Sequence, residues 1–86
     1  MIQSVILTVK MENLTQEYDM ELPINMAISE LSIKLLEALK TLEPEHFQST
    51  SCIGLRFDEE NRFLRNDETL ESAHIWDGSI LTVFKG

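Results

Sequence analysis

The chain predicts an α+β fold in which a mixed β-sheet packs on one long helix. Three observations carry that expectation. Apolar residues alternate with a period of two in several separate segments, as they do in half-buried strands. A single segment, from Ile28 to Leu42, instead repeats them at steps of three and four, the period of an amphipathic helix. The order along the chain is strand, strand, helix, strand, short strand, turn, strand, so the apolar sheet face has one long helix to cover it.

Ser4 to Lys10 reads S-V-I-L-T-V-K, rich in the β-branched residues that fit a pleated surface. Val5, Leu7 and Val9 share one face, and Ile6 and Thr8 the other. Met11 to Gln16, with Asn13, makes a hairpin loop. From Glu17 to Leu22 the pattern alternates again, with Tyr18, Met20 and Leu22 inward and Asp19 and Glu21 outward. Pro23 closes this strand because it cannot donate to a ladder.

Asn25 is the expected N-cap of the helix. Ile28, Leu31, Leu35, Leu39 and Leu42 then fall on one helical face, and Glu30 and Lys40 complement the dipole at its two ends. Glu43-Pro44 stops the helix, since a residue before proline avoids the helical region, and Pro44 to Ser51 reads as a polar loop. Ile53, Leu55 and Phe57 resume the period of two, Asp58 to Asn61 turns, and Phe63-Leu64 makes a short strand. Asn66 to Thr69 is another turn, and Leu70 to Ile75 a single helical turn. Asp77-Gly78 then turns into a last strand from Ser79 to Phe84, with Leu81 and Val83 on one face and Ile80, Thr82 and Phe84 on the other.

The economical closure of these elements is a mixed sheet curled over the helix, with the first and last strands central and parallel. This is the β-grasp arrangement. Its expected core is Val5, Leu7, Tyr18, Met20, Ile28, Leu31, Leu35, Leu39, Leu55, Leu70, Ile75, Leu81 and Val83.

Residues 1–86 allow one domain. A composition of 43% apolar and 26% charged residues is that of a globular chain and too apolar for disorder. Fifteen acidic residues against seven basic ones give a formal charge of −8. Nucleic-acid affinity comes from lysine and arginine on phosphates, and the nearest approach to a basic cluster is Arg62 with Arg65. Nucleic acid and anionic lipid surfaces are therefore excluded as partners. Cys52 is the single cysteine, so no intramolecular disulfide forms, which fits a reducing cytoplasm. Met1-Ile2-Gln3-Ser4 lacks the basic start of a signal peptide, and no apolar run approaches the length of a membrane span. A cytoplasmic location without membrane insertion is expected. Asn13-Leu14-Thr15 matches the glycosylation pattern but has no meaning without secretion.

No catalytic, cofactor or metal residues are expected. His46 and His74 are isolated from any metal-ligand or nucleophile spacing and read as loop and turn residues. Cys52 beside Ile53 reads as a small apolar filler, with no adjacent cation to lower its pKa. Asp58-Glu59-Glu60-Asn61 lacks the alternate spacing, central glycine and distal glutamate of a calcium loop. Gly54, Gly78 and Gly86 are too far apart for a phosphate loop. Trp76 reads as a partly buried packing residue near the last turn.

Tyr18 to Leu22, then Ile28, Leu31 and Leu35, the T-L-x-x-x-x-I element from Thr69 to Ile75, and the strand from Ser79 to Val83 together resemble ubiquitin over nearly the whole chain. A closer resemblance is to the small bacterial ubiquitin-like family called YukD or EsaB, associated with type VII secretion in Gram-positive bacteria. The features that carry it are V-x-L-x-V in the first hairpin, the Asn13 loop, Tyr18-Asp19-Met20, Leu22-Pro23, Asp67-Glu68-Thr69-Leu70, Ile75, Asp77-Gly78 and Ile80-Leu81. The resemblance implies an accessory or regulatory protein, not an enzyme, at the cytoplasmic periphery of a membrane secretion complex, with a component of that complex as its protein partner.

Ubiquitin and the sulfur carriers ThiS and MoaD react through a thin, flexible Gly-Gly carboxylate. Here the ending is Val83-Phe84-Lys85-Gly86, with a single glycine behind a bulky lysine. A non-conjugating, protein-binding adaptor or regulator is therefore expected in preference to a sulfur carrier or modifier activated at its C-terminus. Ile6, Thr8, Ile80, Thr82 and Phe84 should point away from the helix, with Arg56 on the adjoining strand. Thr82 and Phe84 fall where ubiquitin has two residues of its partner-binding patch, and Arg56 replaces that patch's isoleucine. These six are the expected contact surface. Ile33, about 140° around the helix from Ile28, is the alternative on the helix.

Overall fold

The computed structural model describes residues 3–86. Met1 and Ile2, which belong to the reading of the N-terminus, lie outside the described residues. The elements are β1 (Ser4–Met11), β2 (Glu17–Pro23), α1 (Ile28–Leu42), α2 (Pro44–Phe47), β3 (Ile53–Phe57), β4 (Arg62–Phe63) and β5 (Ile80–Lys85). They form a five-stranded sheet in the order β2-β1-β5-β3-β4. β1 and β5 are parallel neighbours, with Thr8 opposite Ile80 and Lys10 opposite Thr82, and the other pairings are antiparallel. This is the expected mixed sheet with one long helix on one face.

The period-two segments bury the side chains that alternation assigns to the core. Val5, Leu7, Val9, Leu55, Leu81 and Val83 are buried, and they meet Ile28, Leu31, Leu35 and Leu39 of α1 in one cluster closed by Leu70 and Ile75. Tight turns fall where residues tolerate a left-handed backbone. Asn13 has φ 67° in the β1–β2 loop, Asn61 has φ 51° before β4, and Gly78 has φ 88° before β5.

Several expectations are corrected. Asn25 does not cap α1; Ala27 holds the cap position, with no side-chain hydrogen bond. The first-turn donors are satisfied from elsewhere in the chain. The Ile28 N–H donates to the Glu68 carbonyl at 2.8 Å, and the Ser29 N–H to the Asn66 carbonyl at 3.1 Å. Leu42 is 42% exposed, because the chain turns at Glu43-Pro44 and Phe47 enters the core instead.

Pro44 to Ser51 is therefore not all loop. Pro44 opens the short α2, since proline is well suited to a first helical position, and the Phe47 ring is 1% exposed. Tyr18 and Met20 are only half-buried. β2 is an edge strand, so its inward residues lie at the rim of the core, and only Leu22 of the three is fully covered. The short strand before Leu64 is Arg62–Phe63, although Leu64 is itself buried and its N–H donates to the Leu55 carbonyl at 2.9 Å. Among the described residues, no helix is long and apolar enough to cross a membrane.

Candidate protein-binding surface

The register of the sheet fixes which side chains share the face turned away from α1. Thr8 opposite Ile80, and Arg56 opposite both Thr82 and Phe63, bring the outward residues of four strands into adjacent rows. Ile6, Thr8, Arg56, Ile80, Thr82 and Phe84 all lie on this face, as alternation predicts. Their availability differs. Ile6 is 55% exposed, whereas Thr8, Arg56, Ile80 and Phe84 are half-buried.

Thr82 is 7% exposed. Its hydroxyl shares its one proton between the two carboxylate oxygens of Asp58, at 2.8 and 3.0 Å, and Asp58 also accepts from the Arg56 Nε at 3.2 Å. Thr82 thus forms the closed polar centre of the face and offers little surface of its own.

Around Phe84 the arrangement is different. The Arg56 guanidinium carbon stands 5.2 Å from the centre of the Phe84 ring, within cation–π range. Phe63 packs on the same ring edge-on, with centroids 5.3 Å apart. Phe63 is 54% exposed and lies over Gly54, where a side chain would meet its ring at 3.6 Å. Two aromatic rings and a guanidinium therefore form one exposed corner. Sequence reasoning left out Phe63, although its antiparallel register opposite Arg56 is what puts it on this face.

The other end of the face carries Ile6 between acidic groups. Glu21 is its register partner, and the Asp77 carboxylate accepts the Ile6 N–H at 2.7 Å. Near β4, Arg62 makes a two-point contact with Glu68 at 3.1 and 3.2 Å, and the Arg65 N–H donates to the same carboxylate at 2.6 Å. The Arg62 hydrogen bonds, then that of Arg65, hold Glu68 below the usual carboxylate range. Tyr18 donates to Glu43 at 2.5 Å, which raises the phenol above its ordinary value.

The remaining candidates are scattered. His46 packs edge-on against Phe47 at 4.8 Å, His74 sits exposed in a turn at φ 59°, and Cys52 is exposed and does not fill the core as expected. Trp76 is 44% exposed. Ile33 is 63% exposed on the outer side of α1. At the end of β5, the Gly86 N–H donates to the Cys52 carbonyl at 2.9 Å, so the ladder continues through the last residue.

The topology and this open face define a ubiquitin-like β-grasp domain, and comparison with known proteins narrows the class. The family model described as the WXG100 protein secretion system (Wss) protein YukD matches residues 5–83. The chain belongs to the YukD family. A search of the curated proteins found no match.

Among solved structures, the chain is similar to the ubiquitin-like domain of the Mycobacterium tuberculosis type VII secretion system protein EccD1. Identity is 18%, coverage is 98% of this chain and 100% of that one, and the TM-score is 0.75. It is also similar to a chain of the MycP5-free ESX-5 inner membrane complex, with 20% identity and a TM-score of 0.80. That match covers 99% of this chain, which spans 21% of the length of the other. Caldiarchaeum subterraneum ubiquitin matches at 20% identity and a TM-score of 0.68, over 96% of this chain and 94% of that one. At these identities the likeness shows the fold.

Proposed function

We propose that this protein is a non-conjugating ubiquitin-like adaptor or regulator that docks, through its open sheet face, on a protein component of a type VII secretion complex at the cytoplasmic side of a membrane. The observation that carries the reading is the exposed corner formed by Phe84, Phe63 and Arg56. Aromatic residues, phenylalanine among them, and arginine are enriched at the cores of protein contacts relative to the rest of the surface. Family membership and the likeness to type VII secretion domains supply the kind of assembly. The acidic surface disfavours nucleic acid and anionic lipid as the thing bound. The reading as a carrier activated at its C-terminus is disfavoured because Lys85 lies within β5 and the Gly86 N–H donates to the Cys52 carbonyl, so these residues extend the ladder and do not form a flexible thread.

The test is quantitative capture of secretion-complex components from detergent-solubilised native membranes by the immobilised protein. Phe84→Ala, Phe63→Ala and Arg56→Ala should each weaken capture by at least about 1 kcal/mol, roughly a factor of five. Phe63→Ala is the cleanest of the three, because an exposed ring contributes little to the fold. Equal capture by all three variants would remove the open face from consideration.

A further inference from the structure

The edge of β3 beside α1 carries unsatisfied backbone groups above an apolar groove. β3 pairs with β5 along its whole length, but β4 covers only Arg56 and Phe57 on the other side. The Gly86 N–H bonds the Cys52 carbonyl and the Asp58 N–H bonds the Ile80 carbonyl, so even-numbered residues of this stretch direct their backbone groups toward β5. Ile53, Leu55 and Phe57 therefore turn theirs outward. Phe57 faces Arg62, and the Leu55 carbonyl accepts from the Leu64 N–H. Among the described residues, the N–H and carbonyl of Ile53 and the N–H of Leu55 have no hydrogen-bond partner. Among the described residues the chain does not cover them, since after Leu64 it crosses to α1, where the Asn66 carbonyl accepts from the Ser29 N–H.

Beside this edge lies a groove of about 500 Å³ whose walls include Ser32, Ile33, Leu36, Cys52, Ile53 and Asn66. Leu36 is buried and Ile53 half-buried, while Ile33 is an aliphatic residue left 63% exposed. We propose that this groove binds an extended segment of a partner protein as an added strand on β3, with apolar side chains at alternate positions seated against Ile33, Leu36 and Ile53. The occupant is a strand because the unpaired groups are a strand's edge, spaced to accept one. Glu37 and Lys40 both border the groove, so its walls are balanced in charge, and the net charge of −8 disfavours only a strongly acidic segment. The groove lies on the helix side of the sheet, so it is separate from the corner around Phe84 and can be occupied together with it.

The experiment selects a displayed library of random peptides of about twelve residues on the full chain, with counter-selection on Ile33→Asp. The recovered peptides are then titrated into isotope-labelled protein. The expected peptides alternate β-branched and polar residues. They shift the Ile53 and Leu55 amides and slow their hydrogen exchange by roughly tenfold or more. Ile33→Asp and Ile33→Arg should both weaken binding by at least about tenfold, and the use of both charges separates loss of apolar contact from simple repulsion. Ile33 is exposed, so both variants fold. Phe84→Ala should bind the peptides unchanged, which keeps this test distinct from that of the open face. Methylating alternate peptide nitrogens should abolish binding in one register and spare it in the other. The inference is overturned by a selection that yields no peptide sensitive to Ile33, by equal binding of both methylated registers, or by pairing of the free chain with a second copy of itself through this edge.

Discussion

Replacing Phe47 by alanine perturbs the part of the core that hydrophobic periodicity does not reveal. The ring is 1% exposed, His46 packs on it edge-on at 4.8 Å, and the Lys85 ammonium lies 5.7 Å from its centre. Truncating a buried phenylalanine removes about 3–5 kcal/mol, through lost transfer free energy and the cavity left behind. α2 is short and borders a loop, so partial collapse is available and the lower figure, about 3 kcal/mol, is expected. At about 0.05–0.15 kcal/mol per residue, a chain of 86 residues has roughly 4–13 kcal/mol in total. The substitution therefore removes at least about a quarter of the stability, and most of it at the low end. The assay is urea unfolding followed by far-ultraviolet circular dichroism. With a slope of about 1–1.5 kcal/mol per molar, the midpoint should fall by roughly 2–3 M. Phe63→Ala is the control, since that ring is 54% exposed and its loss should stay within about 1 kcal/mol. Equal midpoints for the two variants would refute the placement of Phe47 in the core.

Two further predictions concern pH. Glu68 is held below its ordinary value of 4.5, so its contribution to stability is complete above that pH and is lost as pH falls through the depressed folded value. Glu68→Gln should be less stable near neutrality and show a shallower acid loss, read from urea midpoints across a pH series. Tyr18 is raised above 10.0 by donating to Glu43, so its contribution is present below that pH and is lost as pH rises through the higher folded value. Tyr18→Phe should remove this alkaline loss, and ultraviolet titration of the wild-type phenol should place its ionisation above that of free tyrosine.

The fold was legible because periodicity reports which side of an element is buried. Val5, Leu7 and Val9 against Ile28, Leu31, Leu35 and Leu39 specify both the sheet face and the helix stripe that meets it. The misreadings have a common physical origin in contacts from distant parts of the chain. Asn25 has the chemistry of a cap, but carbonyls from Asn66 and Glu68 arrive first at the helix start. Leu42 continues the helical period, yet the turn at Pro44 directs Phe47 to the core in its place. Tyr18 and Met20 alternate correctly but lie on an edge strand, where no further strand seals the rim of the core.

The open face was legible only as the complement of the core, and that is a weaker kind of information. Alternation says that Ile6, Thr82 and Phe84 point away from the helix, but not which of them is reachable. Reachability depends on neighbours across strands that are remote in sequence. Asp58 reaches Thr82 because β3 runs antiparallel to β5, and the hydroxyl is thereby closed off. Phe63 reaches Phe84 because β3 lies between β4 and β5 in the sheet, with Phe63 opposite Arg56 on one side and Phe84 opposite Gly54 on the other. Ile6 and Phe84 are the ends of the face, separated by about six residue steps along β5, or roughly 20 Å. A partner seated on the aromatic corner therefore does not reach Ile6 unless its contact area is large. The Thr82–Asp58 pair between them is already satisfied internally, so covering it gains little, whereas the Phe63 ring stands uncovered at the rim. The difference in exposure between Thr82 and Phe63, and not their nearness in the sheet, makes the corner the stronger candidate for contact.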